Sequence, residues 1–389
     1  MDTTDDTVLD IVPFPIHVPE ADLLDLHERL ERVRLPERET VQDDSQGLQL
    51  HRVEHLLQAW RDHDWRAAER RWNAIPHLQA RFEDLEVAFW HVRSPVPQAT
   101  PLILTHGWPG SVLEFERLIG PLTDPVAHGG SEEDAFHVVI PSLPGFGFSG
   151  RTRAPGWDPT RTAHAWASLM AALGYPTFGV HGTDYGAFVS IELARLHPER
   201  VSRLHLTMPV AWPTPQDVEH ADETEQRLLA TRNHYLVDGS GYQRIQATRP
   251  QTIGYSLVDS PAGLAAWLGE KMVAYADTRP EAGGGVSVAQ QVDNIALYWF
   301  TRTGASTARW YWDAQRWAPQ GAREEDTQPI TVPTAALVFP GEPFPIARRW
   351  AERRFTNLVS WTEPAHGGHF AGWEQPDVLV ADLRDVFRA

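Results

Sequence analysis

Between residues 85 and 210, short apolar runs alternate with stretches of helical periodicity. This alternation constrains the fold more than any other feature of the chain. LEVAFWHV (85–92) alternates as a strand does, and PLILT (101–105), FHVVI (136–140), FGVHG (178–182) and LHLTM (204–208) are each ended by Gly, Pro or polar residues. Helical stretches, His164–Leu173 and Ala187–His197, lie between them. Short runs that are apolar on both faces need cover on both faces, and the intervening helices provide the crossovers. The pattern therefore predicts an α/β fold with a mostly parallel central sheet.

The alternation stops near residue 210 and resumes at AALVFP (335–340) and LVSW (358–361). The region between is rich in Trp, Tyr and Pro and has helical patches at 261–275 and 289–300, which reads as an inserted helical lid. Its RPEAGGGVSV stretch (279–288) reads as a lid loop, because three consecutive Gly give little local stiffness. At the N-terminus, Leu23, Leu26, Leu30 and Val33 recur at helical spacing, and Trp60, Trp65 and Trp72 mark a second amphipathic stretch. The expected division is an N-terminal helical extension (1–84), a first core segment (85–210), the lid (211–330) and a second core segment (331–389). Its last helix, 376–387, places Val378, Leu379, Leu383, Val386 and Phe387 on one face.

With 389 residues, 42% of them hydrophobic, the chain can bury a large core. A net charge of −18 argues against nucleic acid or an anionic membrane as partner. The absence of cysteine excludes disulfides and thiolate chemistry. No apolar run approaches the ~20 residues of a membrane span, and the acidic start MDTTDDTVLD does not read as a signal peptide. A cytoplasmic enzyme without membrane contact is expected. No His or acidic cluster suggests a metal, and no cofactor is expected.

Four segments carry chemistry. Gly182-Thr183-Asp184-Tyr185-Gly186 follows a strand and opens a helix, the context of a nucleophile elbow. Its central residue is Asp, and a carboxylate there can attack a saturated carbon to form an alkyl ester. The bland alternative is a glycine-flanked turn with a capping Asp. His106-Gly107-Trp108-Pro109-Gly110-Ser111 follows PLILT, where this architecture supplies an oxyanion-hole amide; the donors expected are the Trp108 and Tyr185 backbone N–H groups. His106 itself reads as structural. In His366-Gly367-Gly368-His369, His369 is the expected base that activates water, with His366 as its rival. Glu342 follows the strand AALVF and can hold the other ring nitrogen of His369. The order nucleophile, acid, histidine is that of α/β-hydrolases.

Together these segments resemble the epoxide hydrolases of the α/β-hydrolase fold, and most closely their microsomal-type branch. PFPIHVPEADLLDLHERLERVRLP (13–36) and IPHLQARFEDLEVAFWHVRSP (75–95) are similar to that branch's N-terminal region. HGWPGS (106–111), PSLPGFGFS (141–149), the lid stretch 241–271 and GGHFAGWEQP (367–376) are similar to its further motifs. Tyr185 departs from it, since many relatives carry Trp there. The resemblance implies two lid tyrosines that donate to the epoxide oxygen, at Tyr242 in GYQRIQ and Tyr311 in ARWYWD, with Tyr298 in LYWF as the alternative to Tyr311. It implies a soluble enzyme, with a homodimer left open. Water and a small-molecule epoxide are the expected partners. Trp267, Trp299 and Trp310, with Trp312, favour a bulky apolar or aryl epoxide, turned over in natural-product biosynthesis (enediyne or polyketide) or in detoxification. The alternatives are a haloalkane or haloacid dehalogenase of the same fold and a non-catalytic small-molecule receptor.

Overall fold

The computed structural model describes residues 9–82, 84–318 and 328–388. Nine strands form one sheet: β1 (Asp10–Pro13), β2 (His77–Arg81), β3 (Glu86–Val92), β4 (Thr100–Thr105), β5 (Phe136–Pro141), β6 (Phe178–Gly182), β7 (Val201–Leu206), β8 (Thr334–Leu337) and β9 (Leu358–Thr362). Their order across the sheet is β1-β2-β3-β5-β4-β6-β7-β8-β9. From β5 to β9 every neighbouring pair is parallel, and β1, β2, β3 and β5 pair antiparallel. The fold is that of an α/β-hydrolase, with the mostly parallel sheet expected.

The central strands are apolar runs because both faces are covered. Leu102, Ile103 and Leu104 of β4 have no exposed surface. On β6, a Cβ at Gly179 would lie 2.3 Å from the Phe387 ring, and one at Gly182 would lie 2.4 Å from Ser190 Oγ. Three residues apart, the two positions point to opposite faces of the strand. The helix Pro376–Arg388 therefore covers one face and the helix Tyr185–Leu196 the other. Five of the 13 residues of Pro376–Arg388 are buried, among them Leu379 and Leu383 on the predicted face.

The extension ahead of residue 85 differs from its expected all-helical form. It carries three helices, Glu20–Glu31, Leu50–Arg61 and Trp65–Asn73, but also β1 and β2, which extend the sheet at its antiparallel edge. Its helices pack on the lid. Trp60 meets Trp299 edge-on at 5.8 Å, and Arg29 Nη1 donates to Asp259 O and Oδ1, both at 2.8 Å.

Between β7 and β8 the chain runs through helices Pro215–Glu219, Glu223–His234, Gly241–Thr248, Pro250–Asp259, Pro261–Ala274, Val288–Thr301 and Gly304–Trp317. These are the inserted helices read from the sequence. The last part of the insertion, 319–327, lies outside the described residues. In the loop before Val288, Gly283, Gly284 and Gly285 all have φ between 80° and 96°, a run of left-handed backbone that only glycine adopts without strain. Among the described residues no helix is long and apolar enough to cross a membrane.

Candidate active site

β4, β6, β8 and β9 run parallel, so the loops that leave their carboxyl ends gather at one edge of the sheet. These loops carry, in turn, Trp108, Asp184, Glu342 and His369. The four motifs, scattered over 260 residues of sequence, meet there for that reason.

The elbow after β6 is tight. A Cβ on Gly182 would lie 2.3 Å from Gly186 O, and one on Gly186 would lie 1.9 Å from Thr105 O. Both positions need glycine because backbone passes where a side chain would stand. Asp184, at the tip, has φ 49° and ψ −125°, a sparsely populated conformation for a residue with a Cβ. The strained turn aims its carboxylate off the end of the strand. Gly107 makes room for it, since a Cβ there would lie 2.0 Å from Asp184 Oδ1.

Asp184 Oδ1 accepts from the Trp108 amide at 2.8 Å. The Tyr185 amide is the first of its helix, a position with no intrahelical acceptor. Asp184 Oδ2 lies 3.5 Å from His369 Nε2, and His369 Nδ1 lies 2.8 Å from Glu342 Oε2. The other Glu342 oxygen accepts from the Phe344 amide at 3.1 Å, and the Gly341 amide donates to Gly367 O at 3.0 Å, which ties the acid loop to the histidine loop. Burial opposes a charge on His369, but the Glu342 carboxylate, together with Asp184, outweighs it and holds the imidazole pKa well above its usual value. It is the His369 ring, not that of His366, that lies beside the carboxylate, and His366 Nδ1 has no hydrogen-bond partner among the described residues.

His106 is fully buried below the site. Its Nε2 accepts from the Leu143 amide at 3.2 Å, so Nδ1 carries the proton and donates to Gly107 O at 3.0 Å. Burial pushes its pKa down to about 4, which keeps the ring neutral in a structural role.

Two lid tyrosines close over the turn. Tyr242 stacks on Trp108 at 4.8 Å and 13°, and Tyr311 meets the same indole edge-on at 5.7 Å. The two phenol rings are 5.8 Å apart. Burial raises both hydroxyl pKa values well above 10, so both are protonated donors. Tyr311 Oη has no hydrogen-bond partner among the described residues. Tyr298 instead donates to Gly110 O at 2.8 Å, and its hydroxyl is occupied there.

The tryptophans divide. Trp310 lies against Tyr185 at 5.9 Å, within the aromatic wall of the site. Trp267 donates to Gln246 Oε1 at 2.9 Å. Trp299 is not brought to the site: it packs on Trp60 and lines a surface groove with Asp22, Asp25 and Arg29. One residue on from Tyr298, and so turned by about 100° around the helix, it faces the N-terminal extension. A groove of about 940 Å³ between the N-terminal segment and residues 147–153 touches none of Asp184, Glu342 and His369.

Comparison with known proteins gives the family and the fold. Residues 11–115 match the family described as Epoxide hydrolase N terminus, and residues 100–233 match the alpha/beta hydrolase fold. A protein of Stigmatella aurantiaca (strain DW4/3-1) named "Putative epoxide hydrolase" is 45% identical over 97% of this chain and 85% of its own. Epoxide hydrolase 1 of Oryctolagus cuniculus is 33% identical, over 96% of this chain and 88% of its own. The chain belongs to the epoxide hydrolases. The solved juvenile hormone epoxide hydrolase of Bombyx mori superposes on this epoxide hydrolase with a TM-score of 0.88 at 27% identity, covering 98% of this chain and 95% of that one. The Aspergillus niger epoxide hydrolase gives 0.86 at 27%, covering 97% and 96%.

The site of this epoxide hydrolase also holds residues that the sequence reading missed. Tyr235 Oη lies 3.4 Å from Tyr242 Oη and donates to Gln243 at 2.9 Å. Tyr275 O accepts from the His369 amide at 2.9 Å. Glu374 accepts from the Phe370 and Asp277 amides at 2.9 and 2.6 Å and so ties the histidine loop to the end of a lid helix. Glu114 is buried behind the HGWPGS turn. Tyr235 and Tyr275 lie in the lid with no marking spacing; Glu374 and Glu114 lie within or just beyond the GGHFAGWEQP and HGWPGS stretches, where the residue type alone does not single them out.

Proposed function

We propose that this epoxide hydrolase opens a bulky apolar epoxide to a vicinal diol through a covalent ester on Asp184. The observation that carries the reading is the division of labour within one carboxylate. Oδ1 is held by the Trp108 amide, and Oδ2 is turned towards the site and His369.

In the first step Oδ2 attacks an epoxide carbon from the side opposite the breaking C–O bond. The electron pair of that bond goes to the epoxide oxygen, which takes a proton from the phenols of Tyr242 and Tyr311. Their position side by side over Trp108 supports this role, as does the unsatisfied hydroxyl of Tyr311. A buried phenol is a suitable donor because the oxygen it serves becomes strongly basic as the ring opens.

Ester formation removes the Asp184 charge, one of the causes that hold the His369 pKa up. The imidazolium then gives its proton to the phenolate left by ring opening, and the neutral imidazole is a base after alkylation. It takes a proton from water, and the hydroxide attacks the ester carbonyl carbon. The resulting oxyanion on Oδ1 is held by the Trp108 and Tyr185 amides. Collapse releases the diol and restores the carboxylate beside the imidazolium, which is the starting state. Glu342 orients His369 and compensates its charge throughout.

The aromatic wall of Trp108, Tyr185 and Trp310 supports an apolar or aryl substrate. A dehalogenase would take a halide-binding Trp beside the nucleophile, and position 185 is Tyr. The test is a single-turnover incubation of His369→Gln with an aryl epoxide, read by intact mass and peptide mapping. An adduct of substrate mass on the peptide carrying Asp184 is expected. A variant that stays unmodified while the wild type makes diol overturns the covalent route.

A further inference from the structure

The chain has 34 basic residues, and Lys271 is its one lysine. It is also buried, at 5% exposure, in the lid helix Pro261–Ala274. Arginine is the usual choice for a cation held out of water, because a guanidinium is less strongly hydrated than an ammonium. A chain that otherwise uses arginine thus keeps its single ammonium, a compact point charge, where a charge is hardest to hold. The mechanism above gives this group no task.

Its polar contacts are few. Lys271 Nζ donates to Gly239 O at 3.1 Å and to Glu270 Oε1 at 3.0 Å, and the other Glu270 oxygen is 2.8 Å away. Two phenol rings lie against it: Nζ is 4.8 Å from the centre of the Tyr242 ring and 5.1 Å from that of Tyr275. Trp108 is stacked on one face of Tyr242, which leaves the ammonium the other. Tyr235 Oη lies 3.4 Å from Tyr242 Oη. Tyr311 is placed differently. It meets Trp108, Tyr185 and Tyr242 edge-on, and its hydroxyl has no partner among the described residues. Among those residues no Lys or Arg lies over its ring.

We propose that Lys271 is a positioning residue for the first half-reaction: its charge makes Tyr242, of the two lid phenols, the one that gives up its proton, while Tyr311 donates a hydrogen bond only. This rests on the ester mechanism proposed above. As the epoxide C–O bond breaks, the Tyr242 O–H bond breaks with it. The proton goes to the epoxide oxygen, and the electron pair stays on Tyr242 Oη, spread into the ring as a phenolate. Burial, the neighbouring phenols Tyr235, Tyr311 and Tyr275, and Asp184 all oppose that anion, so it needs a cation near. Towards the neutral phenol, the ammonium has only the attraction of a cation for a ring face. Towards the phenolate, it faces an opposite charge at close range in a buried site. The interaction therefore grows from ground state to transition state, which is the condition for it to speed the step. The Glu270 carboxylate is 28% exposed and screened by water, so the buried ammonium dominates the field at the ring.

The test is a double-mutant cycle read by rapid quench with an aryl epoxide, which separates ester formation from ester decay. Lys271→Gln removes the charge and keeps a donor for Gly239 O; Lys271→Met removes the charge and keeps the stem, so the test stands if one of the two does not fold. Either is expected to slow ester formation at least about ten-fold and to leave ester decay within about two-fold of wild type. In a Tyr311→Phe background the same slowing is expected. In a Tyr242→Phe background the lysine change should cost less than about two-fold, because the phenol through which it acts is gone. Lys271→Arg, which keeps a charge, should form ester faster than Lys271→Gln. An equal loss in the wild-type and Tyr242→Phe backgrounds overturns the proposal, since a lysine that only braces the lid acts alike in both. Ester formation at the wild-type rate in the neutral variants overturns it too. Absence of any ester in the wild type and in His369→Gln instead overturns the mechanism on which it rests.

Discussion

The Trp108 amide donates to Asp184 Oδ1 at 2.8 Å, so in the proposed mechanism one oxygen of the nucleophile already occupies the oxyanion position. Only Oδ2 is left to attack. The hole is thus assembled and oriented before substrate arrives, which is the arrangement in which fixed donors stabilise a charge at least reorganisation cost.

This geometry makes the origin of the diol oxygen predictable. In a single turnover in ¹⁸O-labelled water, with enzyme in excess, the new diol hydroxyl comes from Asp184 and carries no label. The label enters the Asp184 carboxylate and appears in diol only on later turnovers. Mass spectrometry of product and of the Asp184 peptide reads both. Label in the diol on the first turnover means that water attacked the epoxide directly.

In the proposed mechanism the phenol pair acts on the first step alone. Tyr242→Phe and Tyr311→Phe are each expected to slow ester formation by about ten- to a hundred-fold, and the double variant more than either. Decay of ester that does form should change little. Tyr298→Phe should leave ester formation near wild type, because its hydroxyl serves Gly110 O. Pre-steady-state tryptophan fluorescence should follow the step, given Trp108 beneath both rings.

The pH dependence has a definite sign. Burial works against the His369 cation, but Glu342 and Asp184 raise its pKa overall, which favours the imidazolium in the resting enzyme. Ester formation removes the Asp184 contribution and lowers the pKa. Ester decay should therefore rise with pH, at a midpoint lower than that of His369 in the free enzyme read by NMR. For stability the raised pKa favours the fold fully below the unfolded value of about 6.5, and the benefit is lost as pH rises through the folded value. Glu342→Gln should lower the His369 midpoint in both states; an unmoved midpoint contradicts the pairing.

Gly186→Ala tests the elbow. Its Cβ would stand 1.9 Å from Thr105 O, a backbone atom that cannot swing aside. A loss of at least about 3 kcal/mol in unfolding free energy is expected, in the range of severe overpacking. Gly174→Ala is a control: its φ of 85° gives strain, but its Cβ would meet nothing within 4 Å, so a smaller loss is expected. Chemical denaturation of the two variants compares them.

What could be read from the sequence follows from how each feature is encoded. The strands β3 to β9 are legible because a covered parallel sheet demands short apolar runs, with punctuation where each meets solvent. DIVP and HLQAR escaped notice because edge strands half open to water carry no such run; of the nine residues in β1 and β2 only Ala80 is buried. Asp184, Glu342 and His369 are legible because each follows a strand within a few residues. Tyr235 and Tyr275 reach the site through packing between distant segments, and nothing in their own neighbourhoods records it. Trp299 fails as a pocket residue for a related reason. Composition says how many rings a lid has but not which way each one faces.

The backbone amide of the base is bonded to Tyr275 O, and the Gly367 amide to Asp277, so the histidine loop is laced to the lid as well as to the sheet. A lid that swings clear must carry this loop with it or break these bonds. Opening the door and disarming the enzyme are then one motion. On the proposed mechanism, an ester on Asp184 would then be hydrolysed only behind a closed door, and a diol would leave only once the base had stepped back from the carboxylate it regenerated.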